Sequence, residues 1–524
     1  MEDIPLHWAD VVVRKVIAEK GDKSAYVCAA GITPSGTVHI GNFREIITVD
    51  LVVRAFKRIG KNVQFIYSWD DYDVFRKVPS NMPQQEILKD SLRKPIVDIP
   101  DPFGTEESYA RHHEVDVEKD VSKVGIKPTY LYQAKKYRAL EYVEGIKIAL
   151  QNAKEIRKIL NQYRKEHLSE DWLPLKGYCP TCTLDEVDFS GYDGEYTLTM
   201  SCTHCDKNIE VDIREAPFLK LPWRVDWPMR WAHEKVDFEP GGKDHSTEGG
   251  SFSTGKEIVN IYDWTAPTYQ RYDFVGIKGI GGKISSSKGN VITLRDCLQV
   301  YEPAIVRYIF TGTRPNAEFD ISFDADVLKI YEDFDKLERI YFGKEKISKK
   351  KVAKQKRIYE YSCIVEPPKE FPIQPNLRLL TNLLMVNNMN VDRTVEYFRK
   401  EITSTDDEAR VKLRATCAKN WIENFAPEDL TFSVQECIDP NLKLSEGTKK
   451  AIREVAMLLK NKKNWTYQDL HGQFLAIAKE NNVEISEFFK GAYNVLIKKD
   501  KGPQLANFVI AIGVSKVAKL FEKV

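Results

Sequence analysis

The apolar positions near the start of the chain change period twice. Ala25-Tyr-Val-Cys-Ala-Ala30 is an unbroken run of strand length, and Gly31 to Gly36 reads as a loop. Ile40, Phe43, Ile47, Leu51 and Ala55 then recur at the spacing of one helix face, and Gly60 ends that run as a C-cap. Val63-Gln-Phe-Ile-Tyr67 restores strand character. Strand, helix, strand predicts a parallel pair with a right-handed crossover. Ligands in such sheets sit at the carboxyl ends of the strands. The Gly31–Gly36 loop and the acidic run Asp70-Asp71-Tyr72-Asp73 both fall there.

From Pro79 a polar, proline-containing stretch leads into a long helical segment, Ala134 to His167, and then a cysteine-bearing module, Gly177 to Val211. Strand character returns at Val211 and at Tyr272-Asp-Phe-Val-Gly-Ile277. Leu294 to about Phe342 is helical and connective. A lysine-rich run, Lys344 to Arg357, precedes the proline-rich linker Pro367 to Pro375. Beyond it the period is helical, as in Ile452, Val455, Ala456 and Leu459. The expected organisation is α/β. A Rossmann-type parallel sheet lies in two halves, 1–78 and 212–293, around an insertion at 79–211 that carries the cysteine module at 177–211. A helical connector (294–343), a basic and Pro-rich linker (344–375) and an all-α domain (376–524) follow.

A length of 524 residues exceeds one small core, so several domains are expected. Net charge is +1, from 78 basic and 77 acidic residues. A polyanionic partner would therefore have to meet a local patch. No apolar run approaches a membrane span, and the first ten residues lack the basic start and apolar core of a secretory signal. Four of the nine cysteines sit in two Cys-x-x-Cys pairs, which suits a reducing, cytoplasmic setting with one metal site. Cys179-Pro-Thr-Cys182 and Cys202-Thr-His-Cys205, nineteen residues apart, predict a closed four-thiolate zinc site of structural type. His204 lies inside one knuckle and is a possible substitute ligand. Asp101, Glu106, Glu107, His112 and His113 form a weaker cluster, at which no second zinc is expected.

Two loops carry candidate chemistry. Pro34-Ser35-Gly36 precedes His39-Ile-Gly41-Asn42 at a predicted helix N-terminus, where free N–H groups and the helix dipole favour phosphate. His39 and Asn42 share a helix face. A polar helix start with a satisfied histidine has the same text. The second loop, Gly279-Ile-Gly-Gly-Lys283-Ile-Ser285-Ser286-Ser287-Lys288-Gly-Asn290, offers two lysines able to neutralise a triphosphate. An exposed linker has a similar composition.

As a pair, the loops resemble the signature segments of class I aminoacyl-tRNA synthetases. Ala30-Gly31-Ile-Thr33-Pro34-Ser35-Gly36, Trp69-Asp-Asp-Tyr-Asp-Val-Phe-Arg-Lys-Val-Pro79, Trp223-Arg-Val-Asp-Trp-Pro-Met-Arg-Trp231 and Gly242-Lys-Asp-His245 narrow the resemblance to the class I lysyl-tRNA synthetases over roughly the first 340 residues. Asn42 and Ser286 depart from the general signatures and look typical of the lysyl subgroup; Lys288 stands two residues from the absent lysine.

The resemblance implies activation of L-lysine with ATP and Mg2+, and transfer to the terminal adenosine 2′-hydroxyl of tRNA(Lys). It implies catalytic roles for His39, Asn42, Lys283 and Lys288, and ATP contacts from Pro34, Ser35, Gly36, His39, Gly41, Asn42, Lys283, Ser285, Ser286, Ser287 and Lys288. Gly31 and Thr33 would hold the backbone end of lysine, Trp223 would wall its stem with His245 near, and Tyr272 and Asp273 are candidates for its ammonium. Structural Zn2+ would occupy Cys179, Cys182, Cys202 and Cys205. The all-α domain would read the anticodon, and a monomer is expected. A glutamate enzyme would need an arginine where Ala29-Ala30-Gly31 offers none. A small-molecule adenylating enzyme would need no helical tail, and a non-catalytic descendant would have lost the two loops.

Overall fold

In the computed structural model, residues 6–278, 291–462 and 464–524 are described. The first apolar run becomes strand β1 (Ala25–Ile32) and the amphipathic run becomes helix α1 (Ile40–Arg58). Strand β2 (Asn62–Trp69) pairs parallel with β1 along its full length, from Ala25 opposite Asn62 to Ile32 opposite Trp69. Gly60, at φ +76°, makes the left-handed turn between α1 and β2. Two further parallel strands, β4 (Phe238–Gly242) and β5 (Thr268–Tyr272), follow on the other side of β1. Strand β3 (Thr129–Tyr132) pairs with β2, giving the order β5-β4-β1-β2-β3. The chain winds one way to β3 and the other way to β5, so a crevice opens between the carboxyl ends of β1 and β4.

Three features differ from the sequence reading. The sheet takes in β3, whose four residues lie inside the stretch read as an insertion; a Thr-Tyr-Leu-Tyr run is too short to show a period. The long helix expected from Ala134 to His167 is three helices, Gln133–Arg138, Val143–Gln151 and Ala153–Asn161. Leu140, at φ +62°, turns the chain between the first two. The region read as helical connector holds a strand, Phe319–Ile321, paired parallel with Val275–Ile277.

The cysteine module is a three-stranded antiparallel sheet, Val187–Ser190, Thr197–Cys202 and Lys207–Asp212. The basic run read as linker is largely helical. Together with the preceding elements it belongs to a first compact unit made of residues 1–298, 303–321 and 337–367. Two buried arginines organise this unit. Arg44 donates to the carbonyls of Phe274, Arg314 and Ala317. Arg307, fully buried, pairs with Asp50 at 2.7 Å and donates to the carbonyls of Val124 and Tyr361.

The second unit, 299–302, 322–336 and 368–524, is helical. Its C-terminal helices close on a core that includes Ile452, Val455, Leu459, Phe474, Phe488 and Val509. Arg414 on Thr405–Asn424 is fully buried between Glu302 and Asp335, 2.9 Å from the latter, and also donates to the Pro375 carbonyl. Arg414→Met removes the closest cation from two buried carboxylates, leaving Glu302 only Arg410 at 3.9 Å. We expect a loss of about 3–5 kcal/mol, read as a lower midpoint in urea unfolding of the full chain.

Candidate active site and four-cysteine metal centre

Helix α1 begins beside the end of β1, and His39 is its N-cap. The His39 backbone N–H donates to Asn42 Oδ1 at 3.2 Å, so Asn42 reaches back over the helix start. The Ile40 N–H donates to the Ile292 carbonyl at 2.8 Å. Gly41 has a local reason to be glycine: a Cβ there would lie 2.8 Å from His39 Nδ1. The residue clears space for the imidazole. Lys283, Ser285, Ser286, Ser287 and Lys288 lie outside the described residues.

The carboxyl ends of the strands open into a cleft. Ser35, Gly36, His39 and Asn42 line it, together with Gly31, Thr33, Trp223, His245 and Tyr272. The fold thus gathers on one cleft residues separated by up to 241 positions in sequence, from Gly31 to Tyr272. Pro34 is buried, and neither it nor Gly41 lines the cleft. Asp273 does not line it either: it is buried, and its Oδ1 accepts from Arg271 Nε and Nη2 at 2.9 and 2.7 Å.

A carboxylate absent from the sequence reading lines the cleft beside Tyr272. Glu45, two turns into α1, accepts from the Gly31 N–H at 3.1 Å and from the Tyr272 hydroxyl at 2.6 Å. Burial pushes its carboxyl up to about 8, although both hydrogen bonds favour the anion. Gly31 must be small, since a Cβ would meet the Ser68 carbonyl at 2.8 Å. Thr33 donates to Asp73 Oδ2 at 2.9 Å, and Asp73 is held by Lys220 at 2.5 Å. A recess shares Gly31, Glu45, Asp70, Trp223 and His245 with the cleft.

The walls of the recess come largely from α2 (Trp223–His233). The Trp223 and Trp227 rings stack with centroids 5.1 Å apart. Trp227 and Trp231 each donate an indole N–H to Glu239, at 3.0 and 2.6 Å. Burial pushes Glu239 up to about 7. Arg230 pairs with Asp70 at 2.7 Å and with Asp226 at 3.2 Å, and its guanidinium lies 5.5 Å from the centre of the Trp223 ring. Burial raises Asp70 in spite of that pair. The recess therefore combines aromatic faces with four carboxylates, Glu45, Asp70, Glu234 and Glu239, and one guanidinium, a setting that suits a cation on an apolar stem.

Sequence signals for the missed residues existed. Glu45 follows Asn42 by three positions on the predicted helix, which puts it on the same face. Glu239 is an acid within a buried strand.

The four cysteines converge. Cys179 Sγ is 3.6 Å from Cys205 Sγ, Cys182 Sγ is 3.7 Å from Cys202 Sγ, and all four sulfurs lie within 4.8 Å of one another. A tetrahedron with Zn–S bonds of about 2.3 Å has edges of about 3.8 Å, so the set fits Zn2+. Left-handed residues, Thr183 at φ +64° and Asp206 at φ +51°, follow each knuckle. His204 faces Glu186 at 3.7 Å and stands outside the cluster. At the weaker cluster, Asp101 accepts from the backbone N–H groups of Phe103, Thr105 and Glu106, so it is engaged in shaping its loop.

No helix among the described residues is long and apolar enough to cross a membrane. A family model described as tRNA synthetases class I (K) matches residues 6–364. The lysine–tRNA ligase of Borreliella burgdorferi is 47% identical over 518 residues, 99% of each chain. The lysine–tRNA ligase of Treponema pallidum is 45% identical over 98% of each chain. That of Thermococcus kodakarensis is 43% identical over 98% of this chain and 99% of its own. With its family model spanning well over half the sequence and relatives matched end to end, the chain belongs to the class I lysyl-tRNA synthetase family.

Proposed function

We propose that the chain is a lysine–tRNA ligase, which joins L-lysine to ATP as lysyl-adenylate and passes the lysyl group to the terminal adenosine 2′-hydroxyl of tRNA(Lys). The observation that carries the reading is the Glu45–Tyr272–Gly31 arrangement, a buried carboxyl in an aromatic recess beside the α1 N-terminus. The recess takes the cationic amino acid and the helix start takes the phosphates. The lysine carboxylate attacks the α-phosphate, and pyrophosphate leaves. No protein nucleophile is needed, so catalysis is positioning plus stabilisation of developing charge.

In this reading His39 and Asn42 hold phosphate, and Lys283 and Lys288 close over it as charge moves onto pyrophosphate. The hydroxyls of Ser285, Ser286 and Ser287 add phosphate contacts. Mg2+ would come with ATP and supply positive charge against its phosphates. Gly31 and Thr33 fix the backbone end of lysine, and Trp223 and His245 enclose the stem. Glu45, with its Tyr272 hydrogen bond, replaces Asp273 as the ammonium ligand. The closed cysteine set holds Zn2+ for structure, and the all-α region from 376 onward grips the anticodon arm.

Pyrophosphate exchange with each amino acid, run with and without tRNA, tests the assignment. Lysine should support exchange above every other amino acid in at least one condition. Exchange that ignores lysine would sink the reading.

Glu45 also gives a pH prediction. The ammonium binds the anion, and a proton competes for it below about 8. The lysine ammonium itself stays charged, since its ordinary value is about 10.4. The KM for lysine should rise as pH falls from 8.5 to 6.5, approaching tenfold per unit at the acid end. Measurement at saturating ATP and tRNA checks this, and a flat profile would remove Glu45 from the ammonium.

A further inference from the structure

We propose that the exposed lysines of segment 346–354 form a docking strip for the phosphodiester backbone of the tRNA being charged. The proposal rests on the lysine–tRNA ligase reading and extends it to a surface outside the cleft.

The strip is carried by helix α3 (Lys349–Ser362), whose two halves differ. Its C-terminal half is fixed in the first unit. Arg357 pairs with Asp10 at 2.8 Å, the Tyr361 hydroxyl donates to the same carboxylate, and the Tyr361 carbonyl accepts from Arg307. The Tyr359 hydroxyl donates to Glu338 at 2.7 Å. The N-terminal half presents Lys349, Lys350, Lys351 and Lys354 to solvent, with Lys346 exposed just before it. Among the described residues none of these five pairs with a carboxylate. The nearest acid in sequence, Glu345, is engaged by Arg339 at 3.0 Å. Elsewhere exposed lysines do find acids, as Lys412 with Asp392 and Lys490 with Asp500.

The local sequence works against this helix. Its first turn holds no acid and three lysines, and the Ser348 side chain makes no capping bond. The N-terminal pole of a helix favours negative charge, so these lysines oppose both the pole and one another. The fixed C-terminal half lets the arrangement persist. Local conflicts of this kind are expected where function requires them. A cluster of unpaired ammonium groups on a rigid mount suits a polyanion, whose condensed counterions it releases. Lysines act as point charges, so the strip positions the backbone and leaves sequence reading to other surfaces. Of the three substrates, tRNA alone is a chain of phosphates long enough to span it.

The test uses the full chain with Lys349, Lys350, Lys351 and Lys354 all changed to alanine. Binding of tRNA(Lys) is measured by filter retention over a KCl series, alongside charging kinetics and thermal melting. At 0.1 M KCl the tRNA affinity should fall at least tenfold. The slope of log affinity against log salt should shrink by roughly two to three, at about 0.7–0.9 for each phosphate that is no longer neutralised. The KM for lysine and the kcat at saturating tRNA should hold. The melting midpoint should stay or rise, because like-charge repulsion at the helix pole is relieved. The four-arginine variant should keep the affinity, and Lys350→Glu alone should give a smaller loss. Unchanged affinity and slope in the alanine variant, with a wild type that charges lysine, would overturn the strip. A wild type that does not charge lysine would overturn the enzymatic reading and the strip with it.

Discussion

Replacing Glu45 by glutamine raises the KM for lysine about a hundredfold and leaves the protein folded. Glutamine matches the shape of glutamate and keeps one carbonyl oxygen for the Gly31 N–H or the Tyr272 hydroxyl, so both partners are not stranded. What it removes is the charge. Truncating one side of a buried, hydrogen-bonded ion pair costs about 2–5 kcal/mol. An isosteric amide sits near the lower end, and about 2.7 kcal/mol corresponds to a hundredfold. The ammonium is far from the reacting carboxylate, so its contact is equal in ground state and transition state. The loss should fall on KM, with kcat changed much less. Stability moves the other way. Glu45 titrates at about 8 when folded, above the ordinary carboxyl value of 4.5. Between those values the unfolded chain is ionised and folding takes up a proton, which disfavours the native state as pH rises. Removing the titratable group removes that cost, so at pH 7.5 the variant should melt no lower than the parent. Its lysine KM should also lose the steep rise between pH 8.5 and 6.5. Lysine saturation curves at two pH values check both points, and a parental KM with a parental pH profile would end the assignment.

The residues that build this site were unevenly legible in sequence. β1, α1 and β2 could be read because their apolar periods are long and punctuated by Gly31, Gly36 and Gly60. β3 could not, because four residues at a sheet edge carry no period. Trp223, His245 and Tyr272 were found through matched text, and they do line the cleft. Asp273 was named through the resemblance, together with Tyr272, and Glu45 was not named at all. Adjacent residues on a strand point to opposite faces, and Asp273 follows the last residue of β5. Glu45 reaches Tyr272 from another element, 227 positions away, and such contacts are invisible to local pattern. Gly41 shows the same limit. The resemblance named it among the ATP contacts, and the structure sets the His39 ring beside it, a neighbour that local pattern does not show. The two Cys-x-x-Cys pairs were legible because metal geometry imposes its own spacing on the chain.

That metal geometry gives the second large effect. Cys179→Ser should reduce bound zinc from about one ion per chain to near none, since a closed four-thiolate site has no spare ligand to recruit. His204 is no substitute, because it faces Glu186. The module is three short strands, and a metal bound by its four cysteines would add greatly to its stability; structural zinc sites of this kind contribute about 10–16 kcal/mol of apparent binding free energy at pH 7. Residues 177–212 should therefore lose amide protection while β1 and β2 keep theirs. The damage should also reach the cleft by a traceable route. Tyr178, next to Cys179, donates its hydroxyl to the Tyr72 carbonyl at 2.7 Å, and Tyr72 donates to the Pro217 carbonyl at 2.8 Å. Asp73, one residue on, accepts from Thr33 and Lys220. Melting the module loosens the mount of Asp73, and with it the Thr33 side of the lysine site. A severalfold rise in lysine KM should accompany zinc loss, and Thr33→Ala should reproduce that rise with zinc retained. If metal analysis finds full zinc in the serine variant, the knuckles are not the ligands; if zinc is lost but lysine KM is unmoved, the Tyr178–Tyr72–Asp73 connection carries no strain to the site.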